Sequence, residues 1–379
     1  MDSLDTMGHT NVVANPLVRL KGDAMKPIVT STRRTLSRAL CLLACAASVP
    51  VALAQSTQPT VLRMGIGLSA DSAKGKAVEE FGRLLSRYTD GALKIELHAS
   101  GKLGNDVTMT EAAREGKLEM TAPDSSTLAS LDKRFSAINY PFTFNNEAEA
   151  DAILDGPWGQ RLLDALPQHG LIGLTYWENG FRNMTNSRRP ISNTSDFEGM
   201  RMRVMQNPML VDSFDKLGFT AVPLPFTKVY DALKAQEVDG QENPLTTILS
   251  SRFYEVQKYL TLSRHVYSAH VVLLSAKVWN TLPPKHQQAM RRAAIEARDY
   301  ERKVNREGEA EALGALKAKG MVVAAIPRAD AERIRNRLRG VFDKYNGEIG
   351  TGTMIELYIE LGRLRTQAGE AVAARTVSK

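Results

Sequence analysis

Along residues 60–122 the apolar positions change period several times. Val61–Gly67 reads as a strand. Ala77, Val78, Phe81, Leu84, Leu85 and Tyr88 then fall at i, i+1, i+4, i+7, i+8 and i+11, the stripe of an amphipathic helix that Gly91 ends. Ala92–His98 alternates, with Leu93, Ile95 and Leu97 on one face. After a Gly-rich turn, Asn105 or Asp106 is placed to cap a helix ending at Gly116, and Leu118–Ala122 is the next strand. This β-α-β-α-β order predicts a parallel sheet with helices on both faces.

Pro141–Phe144 and the Gly156-Pro157 turn separate this unit from a strand at Leu171–Trp177. A second series follows: strand Arg201–Val204, helix Pro208–Leu217 stopped by Gly218, strand Thr220–Val222, helix Thr227–Ala235, then a turn at Asp239-Gly240. Val271–Leu274 reads as a buried strand. Pro283 opens a long helix in which Met290, Ala293, Ala294, Ala297 and Val304 share a face, with few breakers before Gly320. Such a helix is long enough to brace two domains. Two α/β units joined by more than one crossing would enclose a hinged cleft.

The 379 residues are 43% hydrophobic and 24% charged, an ordinary globular composition. The net charge is +7; without residues 1–54, which hold six of the basic and three of the acidic side chains, it falls to +4. No basic run with interleaved aromatics occurs, so nucleic acid is not an expected partner. Residues 25–54 have the form of an export signal. Lys26, Arg33, Arg34 and Arg38 precede an apolar run from Ala39 to Leu53, and Ala52-Leu53-Ala54 is an A-x-A cleavage pattern before Gln55. The run is short for a membrane span and contains Pro50. Arg33-Arg34 fits either a twin-arginine signal or two ordinary n-region arginines. Residues 1–24 carry no pattern, which leaves Met1 or Met25 as the start. Cys41 and Cys45 both lie in the signal. Cleavage after Ala54 would leave a mature chain without thiols, and so without thiol catalysis or thiolate metal sites. Lipid modification at Cys45 would require a very short apolar run before it.

Few patterns suggest catalysis. Gly65-Ile66-Gly67-Leu68-Ser69-Ala70 matches G-x-G-x-x-A after a strand, but the helical stripe begins several residues late and Glu96 lies within the second strand rather than at its end. No G-x-S-x-G and no H-E-x-x-H occurs. His265 and His270 have an odd spacing that puts them on opposite faces of a strand, poor for joint metal ligation; His265 reads as a structural hydrogen-bonding residue. No metal or cofactor site is expected.

The arginines remain. Met200–Pro208 reads as a short strand carrying the Arg203 guanidinium into a cleft, flanked by Glu178–Ile191 and Val238–Leu245, which supply Arg182, Asn186 and Asn243 as side chains able to hydrogen-bond an anion. A guanidinium presents a planar fork of donors that matches a carboxylate. Trp177 and Phe226 are placed to wall the pocket.

Glu178–Pro190, Gly199–Val204, Phe226–Leu233, Asp239–Leu245 and Phe253–Leu260 closely resemble the extracytoplasmic solute-binding proteins of tripartite ATP-independent periplasmic (TRAP) transporters, the DctP family. The resemblance covers about residues 60–345. It implies a two-domain, periplasmic-binding-protein-like α/β fold, each domain a mixed or parallel sheet flanked by helices, with a hinged cleft closing on an organic acid. It further implies a non-enzymatic, monomeric binding protein, and delivery of the solute to small and large integral-membrane permease subunits. Expected boundaries are residues 1–54 for the extension and signal, 55–179 plus about 269–308 for domain I, and 180–268 plus about 309–379 for domain II. By resemblance, Arg203 in the G-(x)3-R-V block pairs with the ligand carboxylate, Arg182 is the arginine of N-G-x-R, Asn243 the asparagine of Q-E-N-P and Phe226 the aromatic of P-x-x-F. Asp106 and Asp124 fall where members place polar ligand contacts. Lys228 departs from the acid common in F-(S/T)-E-x-Y, and Gly67 and Pro123 replace donors used by some sugar-acid binders, against a sialic-acid-like ligand. The resemblance leaves open which acid is bound, C4-dicarboxylate or related carboxylate. A periplasmic α/β enzyme acting on an organic acid and a binding partner of a membrane sensor are the alternative functions.

Overall fold

The computed structural model describes residues 58–377. The export signal, its cleavage point and both cysteines lie outside the described residues.

The first unit forms as its hydrophobic pattern predicts. Strand β1 (Thr60–Gly65) leads to α1 (Ala73–Tyr88), whose Ser72 side chain accepts from the Gly75 N–H. Strand β2 (Leu93–His98) and α2 (Asp106–Glu115) follow. Asn105 is the α2 cap: its side chain accepts from the N–H groups of Val107 and Thr108, and Gly116 closes the helix in the left-handed conformation. Strand β3 is only Met120–Thr121, shorter than Leu118–Ala122. β1 pairs in parallel with β2 and β3, as the order of elements requires.

Two helices then appear, α3 (Glu147–Asp155) and α4 (Pro157–Asp164), the latter with Pro157 in its first turn. Strand β4 (Leu171–Asn186) is far longer than Leu171–Trp177. Next come β5 (Arg201–Val204), α5 (Pro208–Leu217), β6 (Thr220–Pro223), α6 (Val229–Lys234), β7 (Gly240–Asn243) and α7 (Leu245–Ser250). Gly240, expected in a turn, opens a strand instead. Strand β8 (Tyr259–Ser275) begins twelve residues before Val271. The remaining elements are α8 (Ala276–Trp279), α9 (Pro284–Ala318), β9 (Val322–Ala325), α10 (Arg328–Arg337), α11 (Arg339–Ile349) and α12 (Thr351–Val377).

The sequence divides the strands between two units; the structure joins them in one mixed sheet, ordered β2-β1-β3-β8-β4-β7-β5-β6, with β9 also paired to β8. The antiparallel pair β4–β8 runs through both halves. Its register slips between Glu178 and Gly180, where Gly180 takes a φ of +109°. A bulge bends a strand and leaves backbone groups unpaired. Here α9 supplies the partners. Glu301 Oε2 accepts from the Glu178 N–H at 2.8 Å, and Asn305 Nδ2 donates to the Asn179 carbonyl at 3.3 Å. Small residues on α9 let it lie close: Ala293, Ala294 and Ala297 are buried with Met290 against Val78, Phe81 and Leu85 of α1. Farther along, Ala312 and Leu316 pack with Leu233, Ile248 and Leu260. The helix thus spans both halves of the sheet, as expected of a brace. The largest core lies around β5, α5 and α3–α4, and α12 contributes Met354, Leu357 and Leu361 to it. Trp158 Nε1 donates to the Thr353 carbonyl at 3.1 Å, which fixes the start of α12 on α4.

Candidate functional site

A small cavity of about 40 Å³ opens where the strand ends of the two sheet halves converge. The turn after β1 contributes Gly67 and Leu68, α2 its first residue Asp106, and the segment after β3 Asp124. From the other half come Arg203 on β5, Phe226 before α6, Asn243 on β7 and Arg182 on β4. Six of the seven side chains expected at the site from the sequence therefore line one space.

Trp177 does not. It is fully buried, edge-on to Phe81 at 6.3 Å, with Nε1 3.4 Å from the Ala294 carbonyl. The register slip after Glu178 puts Arg182, opposite Val266, on the same sheet face as Trp177, opposite His270; at the Trp177 end that face is covered by the core that α1 and α9 share.

Arg203 is 3% exposed. Its Nε and Nη2 both donate to the Leu224 carbonyl, at 3.0 and 2.7 Å, while Nη1 is buried without a partner. Burial lowers its pKa to about 10, with Glu242 and Arg182 acting in opposite directions. It stays a cation at neutral pH. Arg182 is among the most deeply buried side chains. Nε meets Glu242 Oε2 at 2.5 Å, and Nη2 meets Oε1 and the Glu242 carbonyl at 2.9 and 2.6 Å. Its Nη1 donates to Ser268 Oγ at 3.2 Å. Burial alone would raise the Glu242 carboxyl; Arg182 and His265 overcome this and bring it down to about 2.

The two aspartates face these arginines. Asp106 Oδ2 accepts from the Asp124 N–H at 2.9 Å. Asp124 Oδ1 accepts from the Ser126 N–H at 3.0 Å, and its Oδ2 from Asn179 Nδ2 at 3.2 Å. Burial pushes the Asp106 carboxyl above the usual aspartate range, against the pull of Lys74. Asn243 Nδ2 donates to Gln241 Oε1 at 2.5 Å. The Phe226 ring stands opposite Gly67: a Cβ there would lie 3.6 Å from it and 3.4 Å from Asp106 Oδ1. A methyl there would make ordinary contact with both, whereas a larger side chain would fill the gap.

Lys74, Asn179, Thr247 and His270 also line the cavity; the sequence places none of them at the site, and His270 figures in it only as a poor metal ligand. Lys74 carried a signal: it precedes Ala77, Val78 and Phe81 on the buried stripe of α1, an unusual place for an ammonium. Its Nζ donates to the Ala122 carbonyl at 3.1 Å. Burial holds its pKa below the ordinary lysine value, against Asp106 and Asp124. His265 and His270 do separate work, as their spacing suggests. His265 Nε2 lies 3.4 Å from Glu242, whereas His270 is at the cavity wall.

Residues 64–348 match the family described as bacterial extracellular solute-binding protein, family 7, DctP. The chain belongs to this family. Among DctP-family relatives, the 2,3-diketo-L-gulonate-binding periplasmic protein YiaO of Escherichia coli is 34% identical over 75% of this chain and 87% of its own. The C4-dicarboxylate-binding periplasmic protein DctP of Rhodobacter capsulatus is 31% identical over 82% of this chain and 94% of its own. The sugar acid binding protein DctPAm of Advenella mimigardefordensis, solved with galactonate, is 41% identical, with a TM-score of 0.79 over 80% of this chain and 98% of that one. Members of the family are periplasmic binding proteins of transport systems, and the relatives above are named for capture of a solute rather than its conversion.

Proposed function

We propose that this protein captures a small organic acid in the periplasm, closes around it and hands it to the small and large membrane subunits of a TRAP permease, without catalysing a reaction. Arg203 carries this reading. A buried guanidinium with one edge held by Leu224 and Nη1 unpartnered at a cavity is a receptor for a carboxylate oxygen. The buried pair of Arg182 and Glu242 supports the wall behind it. The other site positions supply acceptors at Asp106 and Asp124, the Lys74 ammonium as a donor and the Phe226 ring as a cover, with which hydroxyls and the carbon chain of an acid would pair.

In this reading the mature chain starts at Gln55 after export by the Sec or twin-arginine route. Domain I comprises residues 55–179 plus about 269–308, and domain II residues 180–268 plus about 309–379, with α12 reaching back over α4. The β4–β8 bulge and α9 form the hinge region, and the protein acts as a monomer. Mass spectrometry of solute released from the purified protein tests the reading directly. A carboxylic acid is expected; a bound solute without an acid group would overturn it.

A further inference from the structure

Away from the solute cavity, and sharing no residue with it, a second cavity of about 470 Å³ lies between residues 140–145, the last turn of α10, the start of α11 and one face of α12. Three arginines line it, Arg335, Arg339 and Arg365, and no carboxylate does. Arg365 is already engaged: Nε and Nη2 donate to Glu149 at 3.0 and 2.8 Å, and Nη2 also to the Thr143 carbonyl at 2.8 Å. Arg335 and Arg339 are in no ion pair among the described residues. The Arg335 guanidinium lies over the Phe142 ring, 5.5 Å from its centre, and Arg339 Nη2 donates to the neutral Asn336 side chain at 3.3 Å.

The rest of the wall is aromatic. Tyr140 and Phe342 stack with centroids 4.6 Å apart, and Phe142 and the half-exposed Tyr358 complete it. Phe142 is held there at a cost in backbone conformation. It follows Pro141 in a turn closed by the Thr143 N–H on the Tyr140 carbonyl, and its φ is +57°, in a position that usually goes to glycine. Single exposed arginines are ordinary, but two unpaired guanidinia facing one ring-walled space form a receptor for an anion with a flat apolar body. The volume falls in the range of small-molecule sites, about 300–1,000 Å³, and is far more than an inorganic anion fills.

We propose that this cavity is a second ligand site, which takes a free aromatic anion, a flat ring carrying one acidic group. The acid meets Arg335 and Arg339, and the ring lies against Phe142, Phe342 and Tyr358.

The test uses the full chain bearing Arg203→Ala, which weakens binding in the solute cavity, and follows 3-phenylpropionate by calorimetric titration and ligand-observed NMR. Acetate supplies the acid without the ring, and benzyl alcohol the ring without the acid. 3-Phenylpropionate should bind at least about tenfold tighter than either, or 1.4 kcal/mol on the affinity scale. Arg335→Gln and Arg339→Gln, both at exposed side chains, should each weaken it by about tenfold, as expected for loss of a charge-assisted hydrogen bond, and leave benzyl alcohol unchanged. Tyr358→Ala should weaken it without lowering the melting temperature. No binding, or binding that both arginine variants leave unchanged, overturns the site. Acetate binding as tightly as 3-phenylpropionate overturns the aromatic assignment, and a peptide ending in phenylalanine that binds more tightly than the free acid overturns the small-ligand one. Binding to wild type that disappears with Arg203→Ala puts the acid in the solute cavity, which overturns the second site and leaves the carboxylate reading of Arg203 standing.

Discussion

The Leu224 carbonyl takes two hydrogen bonds from Arg203, from Nε at 3.0 Å and Nη2 at 2.7 Å, and so turns Nη1 towards the cavity. The strand places the arginine, but a backbone oxygen on the segment after β6 fixes its plane. A lysine at the same position would present a charge without this edge.

Arg203→Ala should therefore cost about 2–5 kcal/mol of solute binding, the range for truncating one partner of a buried charged pair. That is roughly 30- to 4,000-fold in affinity. Arg203→Lys should also weaken binding clearly. Calorimetric titration with the co-purifying acid measures both. Arg203→Ala binding within about twofold of wild type, on that same scale, would remove Arg203 as the anchor.

Arg182→Ala should act first on stability. Glu242 is 1% exposed and would lose its principal cation. Breaking a buried ion pair by removing one partner costs about 3–5 kcal/mol. Chemical denaturation of the solute-free protein should show this loss. Unchanged stability with impaired binding would instead make Arg182 a direct solute contact.

The same pair should make stability fall in acid. The folded Glu242 carboxyl titrates at about 2, below its ordinary 4.5. A depressed carboxyl contributes stability above its unfolded pKa and loses it as pH falls through the folded one. The loss should span about pH 4.5 to 2, and Glu242→Gln should flatten that part of the melting profile.

Glu309 should have the opposite sign. Burial raises its carboxyl to about 7, against the pull of Arg264. Its contribution is fully present below pH 4.5 and is lost as pH rises through 7. Glu309→Gln should then raise the melting temperature at pH 8 and not at pH 4. An equal shift at both pH values would exclude titration as the cause.

Gly67→Leu should hold the cleft apart. The added side chain starts 3.4 Å from Asp106 Oδ1 and 3.6 Å from the Phe226 ring, on opposite sides of the gap. Solute addition should compact wild type in X-ray scattering and leave the variant's profile unchanged, with its melting temperature retained. Equal compaction of both proteins would count against closure at this point.

The sequence by itself determined the local elements wherever cap, breaker and period agreed. Pro208 and Gly218 bound α5, Asn105 and Gly116 bound α2, and the Met290–Ala297 face marked α9 as a brace. It also named Arg203, Asp106, Asp124, Asn243 and Phe226 for one cavity. Only the tertiary structure decided what lay between the motifs. Strands β4 and β8 extend through polar stretches because each supplies the other's backbone partners, and hydrogen bonding across strands leaves little trace in a one-dimensional hydrophobic pattern. The slip at Glu178–Gly180 keeps Arg182 on the sheet face of Trp177, where Trp177 packs on Phe81 and Arg182 pairs with Glu242, sixty residues away in sequence. Lys74, Asn179, Thr247 and His270 join the cavity for the same reason. Their side chains become site residues only when a helix, a bulge and a long strand bring them to one wall.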